Sequence, residues 1–312
     1  MKRYIRKRLA GFLMVMIGVS ILSFLLIAFS GRDPAEIIAR RGNTNATEEI
    51  IESIRVEMGL DRPLPVQYVH WVKGLFTGDM GMSIYSYRPI ATDLAEYFPA
   101  TFRMVGLSLV WVLLLAIPTG LICARFRNGG FDHAVRGITI FGICLPTFWL
   151  GFLLLLAFAV ELSLFKVLPE PGIKGYILPS FALAVPVACS TIRLFRSSLL
   201  AELSSDYVRY ARARGLSPGR ILTHHVMRNA LPPIITLFCQ YLGYLIAGSA
   251  VVESVFSLKG IGSYLIACVV ASDASATATC TIIIAAIFVL VNLAGDVINR
   301  VLCPWMVRES NG

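Results

Sequence analysis

None of the six lysines in this sequence sits in a GxxxxGK(S/T) pattern. The chain therefore lacks the phosphate-cradling loop by which a protein usually binds and splits ATP. Cysteine pairs at CxxC spacing are missing too. Cys123, Cys144, Cys189, Cys239, Cys268, Cys280 and Cys303 are scattered, five of them within or at the ends of apolar stretches. That distribution reads as packing rather than redox or zinc chemistry, although a bridge between Cys268 and Cys280 stays open. Histidine is scarce, and the adjacent His224 and His225 point to different faces of a helix, a poor chelate. Met80 and Met82 flank a glycine and could touch a soft metal, but filling a turn is their simpler role. No nucleophile–base set, internal repeat or low-complexity tract stands out. No catalytic residue and no metal ligand is assigned.

Charge is the other scarcity. Only 15% of the residues are charged while 56% are hydrophobic, which excludes an ordinary soluble enzyme and points to a polytopic membrane protein. Six stretches are long and apolar enough to cross a bilayer: 9–29, 101–124, 134–160, 177–200, 233–253 and 280–302. The expected fold is all-α with six transmembrane helices. The fourth stretch carries Pro186 inside it and Arg193 and Arg196 near its end, so we expect a kinked helix facing a polar cavity or one that ends early. The first stretch is too long for a signal-peptide core, and Ala28-Phe29-Ser30 makes a poor cleavage site, so it reads as a retained helix.

The charge that exists is unevenly placed. Lys2, Arg3, Arg6, Lys7 and Arg8 crowd the N-terminus, which argues that this end stays in the cytoplasm. Six crossings return the tail, 303–312, to the same side. The inner segments then hold 17 basic and 5 acidic residues, the outer ones 11 and 14. The net charge of +9 is thus explained by topology and a membrane surface, without nucleic acid. This reading divides the chain into an N-terminus and first helix (1–30), an extracytoplasmic loop (31–100), and a five-helix core (101–302).

In the outer loop, Thr47 is placed to cap a helix with Glu48 and Glu49 in its first turn and Gly59 as its stop, and 67–76 reads as a second short helix. The core is interrupted at 201–232 by a basic loop. Its stretch DYVRYARARGLSPGRILTHHVMRNALPPIIT, 206–236, holds five arginines and no catalytic group. Ser205 or Asp206 can cap a first helix and Gly215 suits its C′ position. Ser217 can cap a second helix with Pro218 at its first position, and Pro232-Pro233 ends it. Tyr207, Tyr210, Ala211 and Arg214 fall at i, i+3, i+4 and i+7 and so share a face, with small residues that would let a partner come close. The plainer reading is a basic loop that only sets topology.

This stretch closely resembles the "EAA" coupling loop of ABC importer permeases, in the form found in the dipeptide/oligopeptide/nickel family. Arg209-Tyr210-Ala211 stands where the triplet starts, with Arg209 replacing its glutamate, and Gly215 follows six residues after that start. Further segments are similar in order and spacing: GRDPA at 31–35, MGLDRPLPVQYVHWVKGLFTGDMGMS at 58–83, FPATFRM at 98–104, LPTFWLGFLLLLAF at 145–158 and VVESVFSLKGIGSYL at 251–265. ASDASATATC at 271–280 departs from the pattern, since relatives carry an aspartate followed by a tyrosine-proline pair there.

The resemblance implies a type I ABC importer permease in a bacterial or archaeal cytoplasmic membrane. It implies a second homologous permease, two cytoplasmic ATP-binding subunits that supply the ATP site, and an extracytoplasmic substrate-binding protein. Tyr207, Arg209, Tyr210, Ala211, Arg212 and Gly215 would couple to the ATPase. Among polar residues inside the spans, Arg193, Asn292 and Asp296 could line the path or simply pair between helices. The short loop between the third and fourth spans, the overall length and the SYRPIATDL segment at 86–94 lean the expected cargo to nickel or a metal chelate, with short peptides as the alternative. A secondary carrier would show inverted repeats and broken midplane helices. A membrane scaffold would use the basic loop for assembly alone.

Overall fold

The computed structural model describes residues 2–29, 31, 33–42 and 46–302. Among these residues the secondary structure is helical, apart from one antiparallel bridge between Met82 and Pro89. In chain order the helices are α1 (Lys2–Ala28), α2 (Pro34–Gly42), α3 (Glu48–Glu57), α4 (Leu64–Thr77), α5 (Ile90–Arg125), α6 (Gly130–Cys144), α7 (Thr147–Leu155), α8 (Lys174–Leu203), α9 (Asp206–Ala213), α10 (Pro218–Arg220), α11 (Met227–Ala230), α12 (Pro232–Val255), α13 (Ile261–Val270) and α14 (Ala274–Leu302). Turns of wider, π-type helix extend α7 over Leu156–Glu161 and join α10 to α11 over Ile221–Val226.

Five of these helices (α1, α5, α8, α12 and α14) are individually long and apolar enough to span a membrane. The expected third crossing, 134–160, is not one straight helix. It is a pair, α6 and α7 with its π turn, bent by 102°. The cause is local: Pro146 has no N–H to donate, and Leu145 takes the extended conformation (φ −72°, ψ 125°) that a following proline favours. Counted as one broken span, the pair brings the crossings to six. The fourth segment departs from the expected early end. α8 neither stops early nor breaks; it runs through both Pro179 and Pro186 for 30 residues. Its neighbours hold it, because α6, α7 and α12 all pack against it.

The chain forms two compact units. The first takes residues up to Pro99 and returns with Lys259–Ile287. Here α1 lies on α4, with Phe24 packed edge-on to Tyr68 (5.4 Å between ring centres) and tilted against Trp71 (5.8 Å). α2 and α3 close over Ala35, Ala39 and Ile51, and Arg55 bonds both Asp33 and Glu52. α3 ends as expected: Gly59 takes φ +67°, and Leu60 N–H donates to the Arg55 carbonyl at 2.9 Å. Thr47 occupies the N-cap position in extended conformation, but its hydroxyl makes no capping bond.

Two buried carboxylates organise the rest of this unit. Asp273 Oδ2 accepts from Ser83 Oγ (2.7 Å), Ile84 N–H (2.6 Å) and Tyr85 N–H (3.1 Å), while Oδ1 caps α14 through Ala276 N–H (3.0 Å). Asp93 accepts from Ser86 Oγ and from the Tyr264 hydroxyl (2.8 Å), with Arg88 Nε 3.6 Å away. Beneath them Ile90, Leu94, Ile261, Tyr264, Cys268, Ala276 and Cys280 form one apolar cluster. Cys268 and Cys280 are both buried there as free thiols rather than bridged. Burial pushes the Cys268 thiol up to about 12, which keeps it protonated and inert.

The second unit holds Ala100–Leu258 and the chain from Phe288 onward. α8 is its axis. Glu253, on α12, is fully buried and accepts from Thr101 Oγ1 of α5 at 2.6 Å. Asp132, in the first turn of α6, is fully buried and is held by Arg196 of α8 through two bonds, Nε to Oδ1 at 2.5 Å and an η nitrogen to Oδ2 at 2.6 Å.

Candidate coupling surface

The basic loop folds as a short helix laid on an apolar bed. Ser205 takes the extended N-cap conformation before α9, although its hydroxyl donates backward to the Glu202 carbonyl (2.6 Å) instead of capping. At the other end Gly215 sits in the left-handed region (φ +77°). Its N–H donates to the Arg212 carbonyl at 2.9 Å, and Leu216 N–H donates to the Ala211 carbonyl at 3.3 Å. These two bonds are the Schellman pattern that a C′ glycine permits. Ser217 likewise takes an extended N-cap conformation, with Pro218 opening α10. The helix break falls at Leu231, and Pro232 and Pro233 begin α12 as well as end the loop.

The underside of α9 is set by Val208 and Ala211, which join Ala124, Phe195, Leu199, Ile221, Leu222, Val226, Ala230 and Ile234 in a single cluster. Ala211 is 9% exposed. This corrects the expectation that it offers a partner a close approach: it packs against its own chain. The boundary between covered and open sides runs through the expected set, since the apolar pair at 208 and 211 claims the underside. Tyr207 lies on that boundary, its hydroxyl donating to Glu202 at 2.7 Å, and burial raises its pKa. Tyr210 is 70% exposed, and Arg209, Arg212, Arg214, Gly215, Arg220 and Arg228 are exposed with it. The Arg209–Asp206 contact at 3.5 Å joins two solvated side chains and adds little. What remains is an open, strongly basic ridge with one projecting aromatic, fixed from below by apolar packing.

Two family models account for the sequence that folds this way. Residues 116–308 match the binding-protein-dependent transport system inner membrane component, and residues 1–105 match the N-terminal part of the same kind of membrane component. The chain belongs to this family. It is an ABC importer permease subunit of the peptide/nickel type, a multi-pass inner membrane protein of a bacterial ABC importer, and the family works with ATPase and substrate-binding partners. Its curated relatives include the glutathione transport system permease proteins of Escherichia coli and Shigella dysenteriae, 36% identical over 97% of this chain and 98% of theirs. Among solved structures, the inward-facing MetNI methionine ABC transporter matches at a TM-score of 0.59 with 21% identity, over 69% of this chain and 98% of that one. A second crystal form of it matches at 0.57 and 19%. These likenesses give the fold, that of a type I ABC importer permease.

The other residues singled out in the permease sequence fall differently. Arg193 is exposed on α8. Asn292 is half-buried and donates to the Phe288 carbonyl of its own helix at 2.8 Å. The side chain of Asp296 and the tail 303–312 lie outside the described residues. The structure does not bring Arg193 and Asn292 together in any described bond. The buried acids Asp93, Asp132 and Asp273 were passed over in sequence, although one signal was available: an acid beside a helix start is a common cap or anchor, and all three stand there.

Proposed function

We propose that this permease forms one half of an ATP-driven import pathway, with a second, similar permease completing it. Of two cytoplasmic ATP-binding subunits, one docks on the exposed ridge of α9, and an external substrate-binding protein delivers the cargo. Both termini and the 201–232 loop face the cytoplasm; 31–100 and 254–279 face outward. The observation that carries this is the ridge itself: Tyr210 and the arginines at 209, 212 and 214 stand open around a helix whose end is locked by Gly215. An exposed basic surface with a fixed backbone suits a groove on an acidic partner. Alternating access follows if ATP-bound and ATP-free partners hold α9 in different positions, since only a partner with different contacts in the two states can shift the equilibrium. Arg193 is the pathway candidate that stays open; the Asn292 amide is already engaged with its own helix.

The cargo we propose is a small polar solute: nickel or a metal chelate, as length and loop size suggest, or a short peptide. The relatives named for glutathione put that peptide first in the order of testing. SYRPIATDL at 86–94 carries no weight toward nickel, because Ser86, Arg88 and Asp93 are used within the fold. The test is uptake of labelled glutathione, a labelled dipeptide and radioactive nickel by cells lacking only this chain, with and without its restoration. Loss of one cargo alone fixes the class. Gly215→Asp is expected to abolish uptake while leaving the protein in the membrane, because the residue must stay left-handed and an added carboxylate faces the basic ridge. Normal uptake by this variant would sink the docking assignment.

A further inference from the structure

We propose that the Asp132–Arg196 ion pair is a positioning element that carries movement of the α9 surface into the bent pair α6–α7. The inference rests on the importer reading above. Arg196 lies on α8 beside Phe195, and Phe195 and Leu199 are part of the cluster on which Val208 and Ala211 of α9 sit. Phe195 also presses on α5, where a Cβ added at Gly120 would meet its ring at 2.6 Å. Displacing α9 therefore pushes on α8 at the level of Arg196.

From there the path is polar. The guanidinium grips both oxygens of Asp132 at 2.5 and 2.6 Å, and Oδ2 also accepts Asn128 N–H at 3.0 Å. Asn128 itself is left-handed (φ +60°), so the α5–α6 turn is fixed to the same carboxylate. α6 then runs from Asp132 to the 102° bend at Leu145–Pro146. The Asp132 carboxylate is fully buried and Arg196 is 18% exposed. A buried pair of this kind is a weak stabiliser, since desolvation offsets most of its attraction and apolar residues of similar size often serve as well. A two-point guanidinium–carboxylate contact does fix distance and orientation, which loose apolar packing does not.

The test uses the whole importer, with this chain, its partner permease and the ATP-binding subunits reconstituted in liposomes with the binding protein and the cargo found in uptake. The double variant Asp132→Leu/Arg196→Met removes both charges at once, so a purely structural role predicts a complex that assembles, melts and transports normally. A positioning role predicts an assembled complex that melts within a few degrees of wild type and keeps basal ATP hydrolysis within about twofold. Its cargo-stimulated hydrolysis and its transport per ATP would fall about tenfold. Transport within twofold of wild type overturns the inference. Arg196→Lys keeps the charge and loses the fork; should the double variant fail to assemble, this single change decides, with a threefold or greater loss of transport per ATP supporting the inference and none overturning it. A wild-type complex without cargo-stimulated hydrolysis would instead overturn the importer reading, and it is measured first.

Discussion

The turn at residues 83–88 and the α9 element at 206–216 are both short pieces of irregular or barely helical chain, yet they are held in opposite ways. At 83–88 a buried carboxylate gathers the backbone: Asp273 takes two N–H groups and a hydroxyl on one oxygen, and Asp93 takes Ser86 and Tyr264. Within 206–216 every charged residue is exposed. Val208 and Ala211 seat the helix, Gly215 closes it, and the arginines stay in solvent. A polar anchor of the first kind has one geometry and is costly to disturb, because each lost partner leaves a buried donor unmet. Apolar seating has no directional bond to break, and close packing passes a displacement of the helix on to the bed beneath it. A surface that must move with a partner is better seated in the second way.

Substitutions can break that contrast. The largest effect is expected from Val208→Asp, which puts an unpaired carboxylate into the bed of α9 and costs about 3 kcal/mol or more locally. Co-purification of ATP-binding subunits should fall by at least about tenfold, while the Asp273 turn keeps its resistance to protease. Retained co-purification would show that α9 is not seated by its underside. Asp273→Ala is next, at about 2–3 kcal/mol for a charged acceptor with four partners. Limited proteolysis should then cut within 83–88, and the ATP-binding subunits should still co-purify. Loss of those subunits instead would mean that the two regions are not independently held. The smallest change in stability belongs to Tyr210→Ala, within about 0.5 kcal/mol because the ring is exposed. Its readout is cargo-stimulated ATP hydrolysis, expected to drop severalfold with unchanged melting; an unchanged rate would remove Tyr210 from the docking surface.

Local signals in the sequence were read well where a residue's own chemistry decides its place. The left-handed glycines at 59 and 215 and the apolar lengths of the spans are of this kind. Proline was legible only with its surroundings. Pro146 breaks its helix, with Leu145 extended before it, while Pro186 lies within the continuous α8, packed by α6, α7 and α12. The length of the apolar run at 134–160 masked a pre-proline signal that was present in Leu145-Pro146. Ala211 was misplaced because helical period gives a face but not which side of it meets the core. The partners of the buried carboxylates were out of reach for another reason: Asp273 meets Ser83 across 190 positions, Tyr264 meets Asp93 across 171, and Arg196 meets Asp132 across 64. A single sequence names the acid but not its distant partner.

A ribosome delivers residues 130–161 before α8 and α12 exist. At Leu145 and Pro146 the helix gives up backbone partners that lipid cannot replace, so such a break is tolerated only where protein covers it. The covering neighbours of α7 are α8 and α12, both synthesised later. The bend is written locally into Leu145-Pro146, but the helices that cover its freed backbone groups come later in the chain. The third crossing to be made is covered only after the fifth.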